Sequence, residues 1–362
     1  MPSQQSRSSL TAKDVLYAWG KILGGNAPML SIEITRECPL HCPGCYAYGD
    51  EHLGGGKTLR ELSDFRGDAL VNGVLALVQK HQPLHVSLVG GEPLIRHREL
   101  SRILPALSQQ GRFALVVTSA VIPIPAEWMK LPHVRVAVSV DGLPEHHDVR
   151  RHPATYQRIL ENIAGRKINV HWTITRPMMQ RDGYLEEFVA FWSARPEVDH
   201  IWVSLYSPQV GEQSAEKLTQ ADREKIAREL PEVQRRHPKF LMGTGMALAL
   251  LSPPAHPGKC VFSRMSTNYS ADLRSRVEPC VFGGNPDCSQ CGCMATTAVR
   301  FVEEYKLFGP LKAGHLVNAS VAIGSAVNRL RENAIMPARW RPRARQLPPT
   351  EELVQIEQGS GD

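Results

Sequence analysis

No apolar run in the sequence approaches the ~18 residues that a membrane-spanning helix needs. The opening residues, Met1-Pro2-Ser3-Gln4-Gln5-Ser6-Arg7-Ser8-Ser9, also lack the apolar core of a secretory signal, so a cytoplasmic protein is expected. Aromatics are scarce at 6%, yet 42% of the 362 residues are hydrophobic, enough for an ordinary globular protein with one sizeable core. Charge of one sign is lacking too. Lys and Arg number 42 against 36 Asp and Glu, and most of the +6 balance sits in one place. Between Arg329 and Arg345 six arginines (329, 331, 339, 341, 343, 345) meet one acid, Glu332, a local balance of +5. The rest is near neutral, so no nucleic-acid partner is expected, and the basic end reads as a solvated terminus. With no export signal, the eight cysteines favour metal sites over disulfides.

Three of those cysteines fall in one short loop, Cys38-Pro39-Leu40-His41-Cys42-Pro43-Gly44-Cys45, directly after the strand-like run 29–35. Pro39, Pro43 and Gly44 keep this C-x3-C-x2-C stretch out of a helix, so it can wrap around one bound object. Soft thiolates at this density select zinc or an iron–sulfur cluster. A closed zinc site needs a fourth ligand, and the nearest, His41, is squeezed between the others. Three thiolates on a four-iron cluster leave one iron open to a substrate.

This spacing, placed after a first strand, resembles the radical S-adenosylmethionine (SAM) superfamily. The resemblance implies that Cys38, Cys42 and Cys45 ligate a [4Fe-4S] cluster whose open iron chelates the amino and carboxylate groups of SAM. It also implies reductive cleavage of SAM to a 5′-deoxyadenosyl radical that abstracts hydrogen from a substrate, with electrons from a donor such as flavodoxin or ferredoxin. That family often places an aromatic residue just before the third cysteine, near the adenine. Gly44 holds that position here, and Tyr46 follows the cysteine instead, which makes Tyr46 the candidate adenine neighbour.

Around the loop the periodicity is regular. Val15, Leu16, Trp19, Ile22 and Leu23 predict an amphipathic helix ended by Gly24-Gly25. Strands are expected over 29–35, 85–89, 113–118, 134–140, 168–175 and 201–206, with helices over 68–80, 97–110, 153–165, 183–193 and 219–236. Such alternation argues for an α/β fold with a parallel sheet and right-handed crossovers. Six units are too few for a closed eight-fold barrel and suit the superfamily's partial (β/α)6 barrel. The expected layout is an amphipathic helix and arm (1–28), the barrel (29–240), a small cysteine-rich iron–sulfur appendage (241–294), then helices and a basic tail (295–362). The site should lie at the carboxyl ends of the strands.

Gly90-Gly91-Glu92-Pro93 closes the second strand. Paired glycines let backbone approach a ligand without Cβ interference, and a carboxylate suits an ammonium group. The four residues match the superfamily's GGEP element, which by resemblance contacts the SAM amino group. At the end of the fourth strand Ser139 and Asp141 alternate onto one face. By resemblance they serve the ribose hydroxyls and the SAM carboxylate; a plain Asp141-Gly142 turn is the competing reading. Thr118-Ser119 ends strand three at a similar level, and 145–152 is dense in titratable groups without an assigned role.

The remaining cysteines, Cys260, Cys280, Cys288, Cys291 and Cys293, all follow the sixth strand. They resemble the SPASM and twitch appendages of radical SAM proteins, although C-x7-C-x2-C-x-C departs from the full SPASM pattern. The resemblance implies a second [4Fe-4S] cluster held by four of the five; a zinc knuckle is the alternative. The expected activity is hydrogen abstraction from a peptide, tetrapyrrole or lipid, against a non-catalytic zinc- or iron–sulfur-binding protein. Finally, Lys13 and Lys21 on the first helix, and Arg339-Trp340-Arg341-Pro342-Arg343 near the end, are of a kind that rests on an anionic bilayer. Packing of both ends against the barrel is the competing reading.

Overall fold

A computed structural model of the protein describes residues 11–49 and 52–332, so the first ten residues and the arginine-rich stretch 339–345 lie outside the described residues. Seven strands form one parallel sheet: β1 (Met29–Glu33), β2 (His85–Val89), β3 (Phe113–Thr118), β4 (Val134–Val140), β5 (Ile168–Ile174), β6 (Val198–Leu205) and β7 (Ser266–Tyr269). The order is β6-β5-β4-β3-β2-β1-β7. The first six follow one another edge to edge, as right-handed β/α crossovers require. The seventh was not expected. Its Ser-Thr-Asn-Tyr run has no hydrophobic periodicity, and it becomes a strand by pairing with the free edge of β1, Met29 opposite Ser266 and Ile32 opposite Tyr269.

α1 (Ala12–Leu23) precedes the sheet, and helices cover one face of it: α2 (Gly67–His81), α3 (His97–Gln109), α4 (Pro144–Arg151), α5 (Tyr156–Ile163), α6 (Tyr184–Ser193) and α7 (Gln220–Arg236). The helix expected over 153–165 is α5, and α4 is an additional helix before it; Pro153 cannot continue α4, and Thr155 caps α5 by accepting from the Arg158 N–H. Beyond the sheet come α8 (Thr244–Ala249), α9 (Val261–Met265) and α10 (Met294–Glu303). A hairpin of β8 (Lys306–Phe308) and β9 (Leu311–Lys312) then interrupts the helices expected over 295–331, before α11 (Ala313–Glu332).

Alternate strand residues divide the chemistry. Ile32, Leu88, Val116, Val138, Trp172 and Val203 are buried against the helices, and the Trp172 indole stacks on Phe188 at 4.0 Å. Each such side chain contributes roughly 1.5–3 kcal/mol of burial. The opposite face carries Ser31, Glu33, Ser139, Asp141, Asn169 and His171. A polar face of this kind is stable only where its groups meet one another or a ligand, and its carboxyl-terminal end holds the site.

Candidate active site and cysteine centres

The turn after β2 is built around close approach. Gly90 and Gly91 have φ of 77° and 50°. A Cβ on Gly90 would lie 2.3 Å from the Glu33 Cβ, and one on Gly91 2.3 Å from the Glu37 carbonyl oxygen. The Glu92 N–H donates to that same oxygen at 2.8 Å. The glycines therefore let the end of β1, where the cysteine loop begins, sit directly against the β2 turn.

Glu92 is buried. Its Oε1 accepts from the Leu94 N–H at 3.0 Å and from the Thr118 hydroxyl; its Oε2 accepts from the Ser119 N–H at 2.8 Å and from the Ser119 hydroxyl. Thr118-Ser119 thus has a clear task, tying the end of β3 to the GGEP turn. Pro93 opens the short turn that Glu92 caps. An amide in place of this carboxylate would set a donor against donors whichever way it turned. Glu92→Gln is expected to lower folding stability by about 3 kcal/mol, from unsatisfied buried groups at roughly 1–3 kcal/mol each. Denaturant unfolding of the metal-free protein checks this, and an unchanged midpoint would show that the carboxylate is not the hinge of the turn.

Cys38, Cys42 and Cys45 leave β1 together and are all half-buried. Burial pushes the Cys38 thiol up to about 11 and raises Cys42 and Cys45 as well, against the pull of Arg151. Thiols held protonated in this way release protons when a metal group binds. Gly44, at φ 61°, lies under the Tyr206 ring: a Cβ there would stand 2.3 Å from the Tyr206 hydroxyl oxygen. An aromatic does cover the residue before the third cysteine, but it comes from the end of β6.

Tyr46 turns the other way. Its ring meets Phe282 edge-on at 5.3 Å and His52 at 5.9 Å, which places it between the first cysteine loop and the C-terminal one. His52 is buried, with Nε2 at 2.7 Å from Glu33 Oε1 and Nδ1 at 3.1 Å from the Phe282 carbonyl. Burial opposes its charge, but the Glu33 carboxylate and the Phe282 carbonyl outweigh it and raise the pKa. Ser270, just past β7, donates to the other Glu33 oxygen. Glu33 and His52 were not singled out from sequence. The signal available for Glu33 was an acid inside an apolar strand.

Asp141 is wholly buried, and its Oδ2 accepts from the Nε of both Arg150 and Arg151 at 2.7 Å. Burial would raise its pKa, yet the two guanidinium groups hold it well below the usual carboxylate range. Its Oδ1 is buried without a hydrogen-bond partner among the described residues. The Asp141 N–H donates to His147 Nδ1 at 3.0 Å, and His147 Nε2 donates to the Ala154 carbonyl at 2.8 Å, so α4 is pinned over the end of β4 by a neutral imidazole. Ser139 lies opposite His171 of β5, which burial pushes down to about 4 and which meets the Ser204 hydroxyl at 2.8 Å. The titratable run 145–152 thus contains the two arginines that fix Asp141.

All five C-terminal cysteines line one pocket, together with Phe262, Phe282 and Thr296. The Cys260 sulfur accepts from the Ser263 N–H and lies 3.7 Å from the Thr296 hydroxyl. Burial raises Cys280 and Cys291, and pushes Cys288 to about 11 and Cys293 to about 12. Among the described residues no three His, Cys, Asp or Glu side chains are gathered tightly enough for a single ion, so the thiols stand as separate donors around the pocket. Two close approaches dock this region on the barrel: Gly283 over the His52 carbonyl, and Gly292 over Leu205, whose N–H donates to the Gly292 carbonyl at 2.9 Å.

Residues 32–191 match the family model described as the radical SAM superfamily. That span is a radical SAM domain. The matched span contains the first cysteine loop, the GGEP turn and Asp141, while Tyr206 and all five C-terminal cysteines lie beyond it. Among solved structures, Streptococcus suis SuiB bound to S-adenosylmethionine is similar at 16% identity and TM-score 0.51, over 71% of this chain and 62% of that one. The chain spans under two thirds of the length of that relative. Native anSMEcpe with bound AdoMet is similar at 12% identity and TM-score 0.51, over 85% of this chain and 98% of that one. At these identities the likeness is one of fold. No curated protein matches the sequence.

Proposed function

We propose that the protein is an enzyme that reductively cleaves SAM and removes hydrogen from a substrate held over the carboxyl ends of the strands. The observation that carries this is convergence: the three-thiol loop, the GGEP turn and Asp141 meet at the ends of β1, β2 and β4. The residues fit the group. Three half-buried thiols from one loop suit a cubane with one open iron, and the unpartnered Asp141 Oδ1 is an acceptor for a polar ligand beside them. When bound, the cluster and SAM together supply the 5′-deoxyadenosyl radical. The chain's part is to hold and to orient. Glu92 fixes the GGEP backbone against the loop, and Arg150 and Arg151 fix Asp141. Electrons come from a one-electron donor of the flavodoxin or ferredoxin type. Protein reconstituted with iron and sulfide, reduced with dithionite, should convert SAM to 5′-deoxyadenosine and methionine; fully loaded protein that leaves SAM intact would refute the proposal.

The C-terminal pocket is proposed to hold a second [4Fe-4S] cluster on four of its five thiols. Its support is the gathering of five thiols around one cavity. A variant lacking Cys38, Cys42 and Cys45 should still bind about four irons, the content of one cubane. Zinc there after anaerobic expression would assign a structural knuckle.

A further inference from the structure

Sixteen large hydrophobic side chains are exposed among the described residues, and twelve of them lie on α1 or between Phe301 and Leu330. The other four, Val149, Val210, Leu241 and Leu248, are scattered over the much longer stretch between. A concentration of this kind marks an interaction surface. Its sharpest part is the β8–β9 hairpin, where Phe308 is 73% exposed beside the turn at Gly309, with Lys306 and Lys312 on either side.

The following helix is built inside out. Gly314, Ser320, Val321 and Gly324 of α11 are buried, and Gly324 sits so close to α1 that a Cβ would lie 2.0 Å from the Ile22 carbonyl oxygen. Leu316, Ala319, Ile323, Ala326 and Leu330 recur three or four residues apart on the exposed side. Two glycines, a serine and one valine face the protein, while Leu316, Ile323 and Leu330 face outward, the reverse of what solubility alone favours. On α1 no residue is buried, and Leu16 is 72% exposed.

Charge identifies the occupant. The chain leaving the end of α11 carries Arg339, Arg341, Arg343 and Arg345, with no acid between Glu332 and Glu351. An apolar stripe ending in a cationic segment matches an anionic bilayer, in which hydrophobic side chains enter the acyl boundary and Lys and Arg remain at the headgroups. No described helix is long and apolar enough to cross a membrane, and the contact argued for is one on the surface. We propose that the hairpin and the outward side of α11 dock on an anionic lipid surface.

The test uses the full chain and does not depend on its radical chemistry. Vesicles of phosphatidylcholine with about 30% phosphatidylglycerol should sediment the protein, and pure phosphatidylcholine should do so far less. Phe308→Asp and Ile323→Asp, both at exposed positions, should each weaken binding about tenfold or more while leaving thermal unfolding unchanged. Raising salt to about 0.5 M should weaken it as well. Absence of binding to the anionic vesicles would overturn the proposal. So would binding that both variants retain and that is lost only when residues 333–362 are removed, since the arginines alone would then be responsible. A dimer in light scattering that Ile323→Asp dissolves, with no vesicle binding, would give the face to a second copy.

Discussion

Alanine at any one of Cys38, Cys42 or Cys45 is expected to bring 5′-deoxyadenosine formation down to that of a protein-free control. Each thiol is one of the three donors that the loop offers, and with one removed the proposed cubane would lose a protein ligand. The loss should be specific. Iron at the C-terminal pocket should persist, because its five cysteines line a separate cavity and enter from after β6. Anaerobic reconstitution, iron counting and chromatography of the nucleoside product measure both quantities on one sample. Product formed by all three single variants at the wild-type rate would place the chemistry elsewhere.

Gly91→Ala is expected to be nearly as damaging, without touching a ligand. At φ 50° an alanine bears roughly 1–2 kcal/mol of left-handed strain. Its Cβ would also lie 2.3 Å from the Glu37 oxygen and 2.6 Å from that of Thr35. Neither can yield easily. The Glu37 oxygen accepts from the Glu92 N–H at 2.8 Å, and the Glu37 side chain is held by Arg96 at 3.1 Å and by Arg66. A total of about 3–5 kcal/mol follows from strain plus overpacking, with the cysteine loop displaced from the β2 turn. Gly111→Ala is the control: its φ is 67°, but nothing lies within 4 Å of the added carbon, so only the strain remains. Urea unfolding of the two metal-free variants separates the effects. Equal midpoints would mean that the approach of β1 to the GGEP turn is soft.

Much of the fold was legible because local pattern and final burial agree. The runs over 85–89, 113–118 and 134–140 became strands with those bounds. They are rich in β-branched residues and lie between helices whose apolar faces need a sheet. β7 was not legible. Four residues with no apolar rhythm form a strand only because the edge of β1 offers unpaired N–H and C=O groups. The hairpin after α10 escaped as well: it lies inside the stretch 295–331 expected as helices, and its Leu307 and Phe308 are exposed, so no core burial marks it as a strand.

At the site the division is similar. The sequence by itself determined the donor types: three thiols in one turn-rich loop, a glycine pair before a carboxylate, and five more thiols after the sixth strand. Spacing along a chain suffices for these, because each set lies within one loop or follows one strand. Only the tertiary structure decided who holds whom. Thr118 and Ser119 meet Glu92 from another strand, and Arg150 and Arg151 fold back from α4 onto Asp141. Tyr206 covers Gly44 from 162 residues away, and Tyr46 faces Phe282 rather than its own loop. Such pairings arise because a parallel sheet gathers the carboxyl ends of strands distant in sequence, and no local pattern records which of those ends become neighbours.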